Sequence, residues 1–237
     1  MFGKHFSLGV GVEMPKVSYT RTLPKEDADI IIGNIEQKMW NVFQIIPDIP
    51  LYGQCAWGDR GQIRLSSMIR SIRYYNIAED KNNYVVGWGL KLTGTVKLGP
   101  VKLYGMAHGG HAIANYFAGN KNCDIDLVPT PDSDVTGKLV GTYSLGTIIG
   151  VEYNFTPRIF STLKGSYLRN FIPEYHVDAT KNFEDNTLSG QNYSINFIWR
   201  ISSIFNAGIE YNHVRKTYET HKTLFDNRVY AMFMMTF

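Results

Sequence analysis

Asp226-Asn227-Arg228-Val229-Tyr230-Ala231-Met232-Phe233-Met234-Met235-Thr236-Phe237 closes the chain, and it alternates at period two. Val229, Ala231, Phe233, Met235 and Phe237 share one apolar face, while Arg228, Tyr230, Met232, Met234 and Thr236 share the other. This is a β-strand ending on an aromatic residue. An edge strand of a soluble sheet can also read this way, so the remaining strands have to decide the fold.

Upstream, the cleanest alternation runs from Val86 to Leu98, with Val86, Trp88, Leu90, Leu92, Val96 and Leu98 opposed by Lys91, Thr93, Thr95 and Lys97. After the Gly99-Pro100 turn a strand is expected over 101–117. Phe6, Leu8, Val10, Val12 and Met14 alternate with Ser7, Gly9, Gly11 and Glu13 in a first strand. The segments 49–57 and 61–75 form a hairpin around Gly58-Asp59-Arg60-Gly61, with a bulge expected where the phase becomes uncertain near Ile72. Further strands are expected over 138–155, 158–171, 188–201 and 204–218.

The connections sort into two kinds. They are short at 58–61, 99–100, 156–157 and 202–203, and long and polar over 76–83, 118–136, 174–186 and 219–226. Residues 16–48 form a further long loop, in which Ile35, Met39, Val42 and Ile46 carry the spacing of a short amphipathic helix. About ten long strands, with short turns at one end and long loops at the other, are what a transmembrane barrel requires. There, roughly 9 to 11 tilted residues cross the hydrocarbon. The expected fold is all-β: a transmembrane, antiparallel, up-and-down β-barrel in a single domain, 1–237. The final strand looks like the terminal strand that the assembly machinery of bacterial outer-membrane barrels reads.

An even strand count places both chain ends on the short-turn side. The apolar faces then carry aromatics at two levels, Tyr153, Phe155, Trp199, Phe205 and Phe237 near the short turns, and Trp88, Tyr143, Tyr167 and Tyr211 toward the long loops. Two such levels are expected of interfacial girdles. Composition agrees: aromatics are 14% of the 237 residues, and the mean hydropathy is only −0.18. No apolar run approaches the roughly 18 to 20 residues of a membrane helix, whereas a barrel strand need present only alternate residues to lipid. A net charge of +3 without a basic run gives no support for nucleic acid as a partner. Cys55 and Cys123 lack the number and spacing of a metal site and are expected to be free. Met1 to His5 lead straight into a strand with no secretory signal, so either this chain is not exported or its true start lies outside this sequence, and the second is the expectation.

The face turned from lipid carries Arg64, Arg70, Lys91, Lys97, Lys102, Lys164, Arg200 and Arg228, against Glu13, Glu152 and Glu210. A Lys or Arg facing lipid at the midplane costs roughly 2–4 kcal/mol, which assigns these residues to a water-filled lumen. Two roles stay open for them. They can concentrate and grip anions, or they can keep the wall hydrated and pair with the three glutamates. His108 and His111, three apart on a strand, point to opposite faces and so cannot share a metal. Asp124, Asp126, Asp132 and Asp134 in the 118–136 loop lack the spacing of an EF-hand. Phosphate loops, nucleophile elbows and zinc patterns are absent from the sequence, and no cofactor is implied. A ten-stranded omptin-like protease would need Glu210 and His213 together near the outer rim, though alternation separates them. A non-conducting adhesin barrel is the other alternative.

Gly9-Val10-Gly11-Val12-Glu13-Met14-Pro15, Pro47-Asp48-Ile49-Pro50 and the strand from Gly61-Gln62-Ile63-Arg64-Leu65 to Met68-Ile69-Arg70-Ser71-Ile72-Arg73-Tyr74 carry a resemblance. Together they resemble the DcaP-like trimeric outer-membrane porins, in which a Glu-x-Pro strand end precedes a Pro-Asp start and a strand rich in Leu and Arg. The resemblance implies a homotrimer of about sixteen-stranded barrels, of which this chain would be the carboxyl-terminal part. It also implies uptake of small anionic solutes such as dicarboxylic acids and aromatic carboxylates.

Overall fold

A computed structural model describes residues 5–13, 19–21, 46–76, 81–117, 125–129, 137–171, 187–218 and 221–235. Its strands are β1 (Phe6–Val10), β2 (Tyr19–Arg21), β3 (Ile49–Ala56), β4 (Gly61–Asn76), β5 (Lys81–Leu98) and β6 (Val101–His111). They continue with β7 (Ile125–Pro129), β8 (Gly137–Gly141), β9 (Tyr143–Thr156), β10 (Ile159–Phe171), β11 (Thr187–Arg200), β12 (Phe205–Tyr218) and β13 (Thr223–Met235). Ten of them form one antiparallel up-and-down sheet in the order β1-β3-β4-β5-β6-β9-β10-β11-β12-β13. β1 and β13 lie at its two edges and do not pair with each other, so the described strands form part of a barrel wall and not a closed one.

Burial is inverted relative to a soluble sheet. Along β5 the apolar residues Val86, Trp88, Leu90 and Leu92 are exposed, while Val85, Gly87 and Gly89 between them are buried. The same outward face carries Ile149, Leu163, Ile195, Ile209 and Phe233, all exposed, whereas Arg70, Asp48, Asn170, Thr142 and Ser194 are buried. A face this apolar and continuous suits hydrocarbon as its solvent. Aromatic residues mark both ends of that face. Tyr153 meets Phe155 with ring centroids 4.9 Å apart, Phe155 approaches Phe197 at 6.2 Å, and Trp199 is exposed beside them. Trp88, Tyr143 and Tyr211 are exposed toward the other end, and Phe237 lies outside the described residues.

Several boundaries differ from expectation. No bulge occurs at Ile72: β4 pairs with β5 in unbroken register from Gly61↔Val96 to Asn76↔Lys81, and Ile72 is an inward residue buried under other side chains. β4 and β5 are 16 and 18 residues long, more than the hydrocarbon requires, so Asn76 and 81–83, which read as polar loop, are strand. The same holds at β12 and β13, separated by only 219–222. The strand expected over 101–117 stops at His111, because Ala112 adopts a left-handed backbone conformation (φ 54°) and turns the chain inward. The strand expected over 138–155 is divided at Thr142 into β8 and β9. Part of the 118–136 loop is a strand, β7, which pairs with β2 and β8 in a separate three-stranded sheet. The helix expected around Ile35, Met39 and Val42, and Asp124, Asp132 and Asp134, lie outside the described residues, as does Cys123. Cys55 is exposed and free.

The outward assignment has a direct test. With Leu92 facing lipid, Leu92→Arg is expected to lower stability in phospholipid bilayers by about 2–4 kcal/mol. Lys91→Arg, one residue away on the inward face, should stay within about 0.5 kcal/mol. Denaturant unfolding in vesicles measures both.

Candidate permeation path

Antiparallel register carries the inward face across the wall in continuous rows. One row is Lys97–Lys102–Glu152–Thr162–Asn196–Glu210–Tyr230, and the next is Gln62–Thr95–Tyr104–Gly150–Lys164–Ser194–Asn212–Arg228. Toward the long-loop end, Ser66, Lys91, His108 and Gly146 form a third row. Alternation thus places all the strand cations and the two strand glutamates of the expected set on one surface.

Their environments divide them. Lys91, Lys97 and Lys102 are exposed and Lys164 half-buried, and among the described residues none of the four forms an ion pair. Three arginines are inward but held. Arg64 Nε donates to Gln54 Oε1 at 2.9 Å with its guanidinium 4.2 Å from the Tyr52 ring centroid, and Arg200 Nη1 donates to the Pro157 carbonyl at 3.0 Å, over Phe160. Arg228 on the edge strand pairs with Asp226. Glu152 sits opposite Lys102 and accepts a hydrogen bond from Asn154 Nδ2 at 3.2 Å. Glu13 is exposed at the end of the first strand, its backbone bridged to Asp48.

Arg70 departs from the expected pore-lining role. Its side chain and that of Asp48 are both 0% exposed, with Arg70 Nε 3.4 Å from Asp48 Oδ2, and Arg70 Nη1 donates to the Ala112 carbonyl at 2.9 Å. Tyr116 Oη donates to the same carboxylate oxygen at 2.6 Å. Burial first, and then this hydrogen bond, push the Tyr116 pKa up, so its hydroxyl remains a donor. Asp48 and Tyr116 are absent from the sequence-derived set because a residue before a strand and a residue after one carry no alternation signal. Lys216 is a different omission: it lies in phase with Glu210, Asn212 and Val214, and extending the same alternation reaches it.

Two concavities follow. One of about 640 Å³ near the short turns is lined by Lys97, Lys102, Arg200, Arg60 and Glu152. The other, of about 490 Å³, lies between Lys91, His108, Tyr116 and Phe117 on one side and Lys164, Ser166, Asn192 and Lys216 on the other. The second has four cationic residues on its lining, Arg215 included, and no carboxylate. Glu210 and His213 are separated as alternation requires, Glu210 inward and His213 outward, its Nδ1 2.7 Å from Asn227 Oδ1 and its ring beside Tyr193 and Phe225. His108 likewise faces inward against Phe117, while His111 turns to the Val86 carbonyl on the other face. Among the described residues no group of three His, Cys, Asp or Glu could hold a metal ion.

An antiparallel wall with an apolar exterior and a polar, basic interior has the fold of an outer-membrane β-barrel. Solved structures specify it further. The whole of this chain matches 60% of the outer membrane channel DcaP of Acinetobacter baumannii, with a TM-score of 0.74 at 17% identity. Over 96% of its length it also matches 39% of the FrpB iron transporter from Neisseria meningitidis, with a TM-score of 0.51 at 13% identity. At these identities the likeness is one of fold: the chain has a DcaP-like porin fold and spans about three-fifths of that channel's length. No family model and no curated protein matches the sequence.

The two classes of inward cation should respond differently to removal. Arg70→Met removes one member of a fully buried ion pair and is expected to cost about 3–5 kcal/mol of stability. Lys102→Met, at an exposed site, should change it by no more than about 0.5 kcal/mol. Denaturant titration of the protein in bilayers compares the two.

Proposed function

We propose that this protein is part of a passive channel of the bacterial outer membrane that favours small anionic solutes, carboxylates in particular. The observation that carries the reading is the set of inward lysines at 91, 97, 102 and 164, which lie on one continuous face without carboxylate partners among the described residues. A lysine committed to an ion pair contributes little field to the lumen. One left free attracts anions and repels cations, and does so more strongly near a low-dielectric wall. The lumenal arginines can meet a carboxylate with two parallel hydrogen bonds, and the lysines act as mobile point charges beside them.

The DcaP-like fold supports placement in the outer membrane, and the alternating final strand supports insertion by the assembly machinery there. A homotrimer is part of the same proposal, on the strength of the resemblance to the DcaP-like trimeric porins. Passive diffusion requires no cofactor. Enzyme chemistry finds no support in the site, since Glu210 and His213 face opposite ways.

Reversal potentials of the protein purified from its host's outer membrane, recorded in a potassium chloride gradient, test the reading. Anion preference is expected, and Lys91→Glu combined with Lys97→Glu and Lys102→Glu should weaken or reverse it. Cation preference in the unmodified protein would refute anion selectivity, and absence of conductance would refute the channel.

A further inference from the structure

Where β6 ends, the chain does something a simple barrel wall has no need of. The Ala112 amide still donates to the Thr142 carbonyl at 2.8 Å, but its left-handed φ of 54° lifts the next residues off the sheet. A short 3-10 turn, Ala114–Tyr116, follows, and Ile113 just before it reaches Gly89 on the inner face of β5. Ala112 and Ala114 are fully buried there, Ile113 and Phe117 nearly so, together with Ile72 and Val85 of the wall. Two glycines make the fit possible. A Cβ at Gly89 would lie 2.9 Å from Ile113 Cδ1, and one at Gly87 would lie 2.6 Å from Arg70 Cγ, so any larger residue would displace either the segment or the arginine.

Apolar packing alone does not hold this segment. Arg70 reaches through the Gly87 gap to the Ala112 carbonyl and to Asp48, and Asp48 in turn accepts from Tyr116, tying both ends of the turn to one buried charge pair. Asp48 is itself fixed by a reciprocal backbone bridge to Glu13, its amide to the Glu13 carbonyl at 2.7 Å and the return bond at 3.0 Å. Three separate stretches of chain therefore meet at a single carboxylate. On its other side the held segment presents Tyr116 and Phe117 to the concavity whose far wall carries Lys164, Ser166, Asn192 and Lys216. Phe117 packs at a tilt against the inward His108 with ring centroids 3.9 Å apart, and His108 lies opposite Lys91.

We propose that Arg70, Asp48 and Tyr116 form a latch holding residues 112–117 inside the wall, and that the latched segment sets the cross-section of the path. The second clause rests on the channel reading; the first does not. Arg70 and Asp48 are then positioning residues. They act on passing solutes through Tyr116 and Phe117, and Arg70 adds no charge of its own to the lumen. Buried ion pairs are seldom retained for stability, since a well-packed apolar pair often does as well, but they can specify one arrangement of the segments they join.

The test uses variants graded in severity. Tyr116→Phe removes one hydroxyl. Arg70→Met with Asp48→Leu removes both charges together and abolishes the bonds to Ala112 and Tyr116. Each is combined with Ala114→Cys, a fully buried reporter, in a background of Cys55→Ser and Cys123→Ser, and labelled with a water-soluble maleimide in bilayers. Labelling is expected to be slow with the latch intact, about tenfold faster in Tyr116→Phe and faster again in the double variant. Equal labelling in all three overturns the latch. Single-channel conductance of the same variants is expected to rise in the same order; faster labelling at unchanged conductance overturns the role in setting the path. If the unmodified protein does not conduct, the channel reading fails while labelling still decides the latch.

Discussion

Within hydrocarbon no water is available to satisfy a peptide group, and every N–H and C=O must find its partner in the protein. The antiparallel ladders from β3 to β13, shifted in register only at Ile159 and near Thr187, are the response to that constraint, and the rest of the architecture depends on them. With the backbone committed to neighbouring strands, side chains can only alternate, and one face must meet lipid while the other meets whatever the wall encloses. The edges at β1 and β13 are the places where this satisfaction is incomplete among the described strands, which makes the wall a partial barrel.

Inversion of burial follows from the same constraint. Isoleucine, leucine and aromatic side chains go outward, and the most completely buried side chains include Arg70, Asp48, Asn170 and Thr142. Polar groups in such an interior have to be satisfied locally, and the structure shows how. Ser144 Oγ donates to Asn170 Oδ1 at 2.7 Å while Asn170 Nδ2 donates to the Thr187 carbonyl at 2.7 Å, joining β9, β10 and β11 through side chains. Around Asp48 the same principle joins β4 to the segment after β6. Polar networks take the structural place that apolar contacts hold in a soluble core.

Legibility in the sequence followed alternation closely. Wherever a residue lay inside a regular strand, its face could be read: the inward placement of Lys91, Lys97, Lys102, Lys164 and Glu152, the outward placement of His213, and the separation of His108 from His111 all agree with period two. Where the chain left regularity the reading failed. Residues 112–117 read as the end of a strand because Ala112 has nothing in its chemistry to announce a left-handed turn. Ile72 read as out of phase because an apolar residue on a polar face has no explanation until the assembled wall is seen to bury it completely.

Arg70 shows the division best. The amino-acid sequence by itself determined that this guanidinium lies on the inward face of a strand, since period-two geometry and the cost of a charge in lipid leave no other place for it. It determined likewise the succession of the ten strands of the large sheet. Only the tertiary structure decided whether that charge would serve the lumen. Its fate depends on Asp48, 22 positions earlier, and on Ala112, 42 positions later, which come together only after β3, β4, β5 and β6 have paired. Periodicity is local and repeats, so it is written in the order of residues. The partner of a buried charge is set by register across several strands, a property of the assembled wall.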